Sequence, residues 1–115
     1  MIGPDSIQVY VVVGRVDMRK SIDGLSLLVS QQLSLDAFGG HMFAFTNRKR
    51  NVVKILYWDR NGWVLWQKRL EQDRFPWPES REEVLKIGHR ELRWLLEGLD
   101  IHQKAHGALH YSALY

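Results

Sequence analysis

HMFAFTNRKRNVVKILYWDRNGWVLWQKRL, residues 41–70, holds three apolar runs, HMFAF, VVKILYW and WVLWQKRL, divided by TNRKRN and DRNG. The runs are rich in β-branched and aromatic residues, which fit a pleated, half-buried surface. Their short polar connections predict a three-stranded antiparallel meander. The Asn61–Gly62 pair is a strong hairpin signal, favouring a tight turn with positive φ, and Asp59 is placed to cap it. In the other connection, hairpin geometry projects Arg48, Lys49 and Arg50 beyond the end of the sheet.

Upstream, IQVYVVV (residues 7–13) reads as a strand covered on both faces. After the loop at Gly14, the apolar positions Met18, Ile22, Leu25, Val29 and Leu33 form one stripe of an amphipathic helix, with Asp17 as its N-cap. DAFGG breaks that helix. Downstream of the meander, the two prolines of RFPWP stop any regular ladder. In ESREEVLKIG, Ser80 followed by Glu83 has the form of a capping box and predicts a helix start. HRELRWLLEGL predicts a helix with Leu92, Leu95, Leu96 and Leu99 on one face. The last residues, DIHQKAHGALHYSALY, show no period and read as an irregular tail packed down by Leu109, Tyr111 and Leu114. The expected architecture is α+β: an N-terminal strand and helix, a three-stranded antiparallel meander, and a helical C-terminal portion.

At 115 residues, the chain has the size of one domain, 1–115, and buries roughly two-thirds of its unfolded surface. Hydrophobic residues at 45% and charged residues at 25% exclude wholesale disorder. There is no cysteine, which excludes disulfides and thiolate metal sites and agrees with a cytoplasmic location. The N-terminus has neither the cationic segment nor the cleavage site of a signal peptide, and no apolar run approaches a membrane span. The net charge of +3 is unevenly placed: residues 41–74 hold 8 Lys/Arg against 3 Asp/Glu. Localised positive charge points to a polyanionic partner, nucleic acid first.

The candidate phosphate-binding residues are Arg48, Lys49 and Arg50 at the tip, with Lys54, Lys68 and Arg69 on the following strands. Arg19 and Lys20 join them beside the predicted helix N-terminus, where backbone N–H groups also attract anions. The competing reading of the tip is a solvated loop whose charges keep a sheet edge from aggregating. Trp58 and Trp63 flank DRNG and are placed to face each other across the hairpin; Trp66 falls on the opposite sheet face. The indoles serve as core, as a protein-docking surface, or as a base-stacking platform. His102, His106 and His110 recur every four residues, but Gly107 interrupts the helix that would align them, so no metal site is expected. Asp17, Asp23, Asp59 and Glu71 have no spacing suited to a two-metal nuclease. No catalytic residue and no cofactor is expected.

With DMRKSIDGL (17–25), the stretch from Gly40 to Pro78, and LLEGLDI (95–101), the chain resembles the small Orf2-like accessory proteins, often labelled TnpB. These are encoded beside the transposase in the IS-sixty-six class of bacterial insertion sequences. The resemblance is most specific in NRKRNVVKILYWDRNGW and KRLEQDRFPWP. It implies an accessory role in transposition alongside a separate transposase, with no family catalytic residues to carry over. Two functions follow as expectations. One is DNA binding at the element ends through the basic hairpin and MRK. The other is an adaptor role, docking on the transposase through the tryptophan-bearing face.

Overall fold

The computed structural model describes residues 7–98. Its centre is a mixed five-stranded sheet: β1 (Val9–Arg15), β2 (Met42–Thr46), β3 (Val52–Asp59), β4 (Gly62–Arg69) and β5 (Val84–Ile87), in the spatial order β4-β3-β2-β1-β5. The meander is present as β2-β3-β4, both pairs antiparallel. It belongs to a larger sheet, because β1 pairs with β2 in parallel and with β5 antiparallel. Helix α1 (Ile22–Leu27) continues as a π-helix over Leu28–Gln32, and α2 spans His89–Leu96.

Period-two alternation sends side chains to two cores. On one face, Val12, Phe43, Phe45 and Leu56 pack with Leu25 and Val29 of the first helix. On the other, Val9, Val11, Ala44, Val53 and Ile55 pack with Leu92 and Leu95 of α2, and with Phe75 and Trp77. Burial on both faces accounts for the unbroken apolar run of β1. RFPWP joins no ladder; it crosses the second face as a strap. Trp77 is 3% exposed and its Nε1 donates to the Val12 carbonyl at 2.9 Å, so the indole N–H is satisfied inside the core.

Several expectations are corrected. The segment read as a helix start after Ser80 is strand β5: Val9 pairs with Ile87 and Val12 with Val84. Ser80 Oγ accepts only the Glu82 N–H, in a local turn. The deciding factor is the open edge of β1, which offers Val84, Leu85 and Ile87 a ladder that an isolated helical turn lacks. The first helix begins at Ile22, with Ser21 as the N-cap residue. Asp17 caps nothing there; its carboxylate accepts the Arg19 N–H and pairs with the Arg19 guanidinium. In the β3–β4 turn the positive φ falls on Arg60 (54°), one residue outside the Asn-Gly pair. Gly62 pairs with Asp59 as a strand residue. The histidines at 102, 106 and 110 and the tail residues Leu109, Tyr111 and Leu114 lie outside the described residues, as does Leu99.

Candidate nucleic-acid interface

The β2–β3 connection is braced by its two asparagines. Asn47 Oδ1 accepts the N–H groups of Asn51 and Val52 at 3.1 and 3.2 Å, and Asn47 Nδ2 donates to Asn51 Oδ1 at 2.7 Å. The Arg50 N–H donates to the Asn47 carbonyl, and the Arg50 carbonyl accepts the Phe75 N–H at 2.7 Å. Arg50 adopts φ 58° to close the turn. With its ends held, the tip leaves Arg48 and Lys49 exposed. Arg50 is different: its side chain is partly covered and lies 3.9 Å from the Glu79 carboxylate.

Parallel pairing of β1 with β2 brings a further cation to this end. Arg15, the last residue of β1, is in register with Thr46, the last of β2. A cleft of about 630 Å³ opens between them, lined by Arg15, Asp17, Met18, Arg48 and Lys49 among others. A second, of about 620 Å³, is lined by Arg48, Lys49, Asn51, Asp73 and Arg74. Arg15 and Arg74 went unnoticed in the sequence, because each is a single cation whose neighbours are distant along the chain. Among the described residues, Arg15, Arg48, Lys49 and Arg74 make no ion pair.

The other candidate cations are engaged. Lys54 is 7% exposed, and its Nζ donates to the carbonyl oxygens of Met18 and Lys20, each at 2.8 Å; it anchors the β1–α1 loop on the sheet. Lys68 donates to the Leu96 carbonyl at the C-terminal end of α2, where a cation is electrostatically favoured. The Arg69 guanidinium meets Glu71 at 3.1 Å. Arg19 meets Asp17 at 2.6 Å, and this guanidinium, chiefly by side-chain hydrogen bonding, holds the Asp17 carboxyl at about 2. Lys20 is exposed.

The tryptophans divide as their spacing indicated. Trp58 and Trp63 are cross-strand partners, edge to face with centroids 5.1 Å apart. Phe38 closes on both at 5.1 and 5.2 Å while remaining 61% exposed. Trp66 emerges on the other face, in a groove of about 370 Å³ lined by Lys68, Leu92 and Leu96. The aromatic trio sits at the β3–β4 turn and the cationic tip at the opposite end of β3. That strand has eight residues, so roughly 25 Å separates the two, at about 3.3 Å per residue. Cations and indoles therefore form two surfaces. Among the described residues, no three His, Asp or Glu are grouped to hold a metal ion, and no helix is long and apolar enough to cross a membrane.

The class of protein defined by this arrangement is a small α+β protein with a mixed sheet, one end of which is cationic. The chain belongs to the IS66 Orf2-like protein family, whose model matches residues 7–106. Membership ties it to insertion-sequence transposition in an accessory role, in association with the element's transposition machinery. Two relatives come from Sinorhizobium fredii. The uncharacterized protein y4hO is 33% identical over 95 residues, covering 83% of each chain. The uncharacterized protein y4jC is 33% identical over 101 residues, covering 87% of this chain and 86% of its own. No solved structure matches the chain.

Proposed function

We propose that this protein is a non-catalytic DNA-binding accessory of transposition, acting in the cytoplasm, that holds the phosphate backbone of element ends within the transposase complex. The observation carrying this reading is the convergence of four cations without ion-pair partners, Arg15, Arg48, Lys49 and Arg74, around two clefts at one end of the sheet. A braced tip loses little conformational freedom on binding, and cations fixed in this way suit phosphate contact independent of base sequence. Titration of labelled terminal-repeat DNA over a range of salt tests it. Affinity should fall linearly on a log–log plot, with slope about −0.9 per phosphate neutralised, and the double variant Arg48→Ala, Lys49→Ala should flatten that slope by about two phosphates. Salt-independent affinity, or no binding at low salt, would sink the proposal.

A second reading is favoured by Phe38, exposed on top of the Trp58–Trp63 pair at the far end of the sheet. It makes the protein an adaptor that docks on the transposase through these aromatics. Co-purification with transposase that survives Arg48→Ala, Lys49→Ala but is lost in Phe38→Ala would favour the adaptor. The reverse pattern would favour DNA contact.

A further inference from the structure

The two edges of the sheet are built differently. β5 has four residues, Lys86 is exposed within it, and Arg81, Glu82 and Glu83 precede it. Shortness and charge both discourage pairing with another chain. β4 has eight residues and pairs with β3 in an unbroken register from Gly62 to Arg69. Its first six positions, Gly62–Gln67, contain no charge and no proline. The Leu70 N–H donates to the Asn51 carbonyl, which sets the parity of the ladder. Even-numbered residues of β4 bond to β3, and Trp63, Leu65, Gln67 and Arg69 turn their N–H and C=O groups to the open edge. No element among the described residues covers that edge.

We propose that β4 is a self-docking edge, on which a second copy of this chain pairs its own β4 antiparallel across a twofold axis, joining two five-stranded sheets into one. The composition of the strand selects this occupant. Its first half is apolar and its last two residues are Lys68 and Arg69, so antiparallel self-pairing sets apolar against cationic, whereas parallel pairing would stack like charges. The register that engages all the outward-facing residues places Trp63 opposite the partner's Arg69 and Leu65 opposite the partner's Gln67. Val64 then faces the partner's Lys68, and Trp66 meets the partner's Trp66 at the axis. Trp63 gains a cation over its ring, and Trp66, 40% exposed in one copy, is covered by its equivalent. The two cationic tips then point in opposite directions.

Two variants test this against sedimentation of the wild-type protein. The Gln67 N–H points to the open edge, so Gln67→Pro removes no bond to β3. It should leave thermal unfolding unchanged at concentrations low enough that both proteins are monomeric, while weakening dimerisation about tenfold or more, the effect expected from two lost main-chain hydrogen bonds. Trp66→Cys, in a chain without cysteine, brings two thiols to a non-hydrogen-bonded pair at the axis, where oxidation should give a cross-linked dimer. Val64→Cys should stay uncross-linked, because its partner in this register is Lys68. A wild-type protein that sediments as a monomer at all concentrations would overturn the proposal. So would a dimer unaffected by Gln67→Pro, or cross-linking of Val64→Cys in preference to Trp66→Cys.

Discussion

Lys54 Nζ, from the third residue of β3, donates to the carbonyl oxygen of Met18 at 2.8 Å, thirty-six positions earlier in the chain. A second donation reaches Lys20 at the same distance. The ammonium is thus a fastener between the sheet and the β1–α1 loop. Lys54→Met keeps the apolar stem but leaves two carbonyls without their donor. The expected loss is about 2–4 kcal/mol in urea unfolding, with the salt slope of DNA binding unchanged in the folded fraction. Arg48→Ala, at an exposed site, should change stability by no more than about 0.5 kcal/mol. Equal losses in the two variants would refute this division of roles.

Arg15 and Arg74 flank the tip from different parts of the chain. If both contact phosphate, Arg15→Ala and Arg74→Ala should each reduce the salt slope by about 0.9. Arg19→Ala and Arg69→Ala should reduce it less, because Asp17 and Glu71 already neutralise those guanidinium groups. Fluorescence anisotropy at several salt concentrations ranks the four.

The turn between β3 and β4 holds Arg60 at φ 54°, a conformation that costs a residue with a Cβ about 1 kcal/mol and glycine much less. Arg60→Gly should therefore stabilise the protein by roughly 0.5–1 kcal/mol. Gly62→Ala should be tolerated, since an added Cβ at Gly62 meets nothing within 4 Å. Chemical denaturation of both variants checks the pair, and destabilisation by Arg60→Gly would contradict the assignment of strain.

Asp17 titrates at about 2 rather than its ordinary 3.8, through its hydrogen bonds with the Arg19 side chain first and the Arg19 N–H second. Its folded value lies below its unfolded value, so the pairing contributes above about pH 4 and is lost as pH falls towards about 2. Both groups are in solvent, where screening keeps such a pair weak. The measurement is therefore an NMR titration of the carboxyl carbon, not a melt. Arg19→Ala should raise the midpoint towards the usual carboxylate range, with the backbone N–H of residue 19 still holding it partly down, and an unchanged midpoint would show that another group sets it.

Local patterns made much of this fold legible. The three β-rich runs at 41–70 and their turn-forming connections are enough to write β2, β3 and β4 in order. Period two placed Trp58 against Trp63 and sent Trp66 to the other face. Leu92 and Leu95 marked the buried side of α2. The strand at 84–87 was hidden by Ser80 and Glu83, whose spacing imitates a helix start. Nothing local to that segment reveals that β1 has an open edge waiting for it.

The candidate site divides in the same way. Sequence alone determined that a cationic loop would stand between two strands, because turn chemistry and alternation act over a few residues. Tertiary structure alone decided which cations reach solvent. Parallel pairing of β1 with β2 carried Arg15 to the tip, and the strap through Phe75 and Trp77 delivered Arg74. The β1–α1 loop meanwhile folded over Lys54 and took its charge out of reach. The reason is physical: charge type is written in each residue, but its exposure and its partners depend on contacts between segments far apart in the chain.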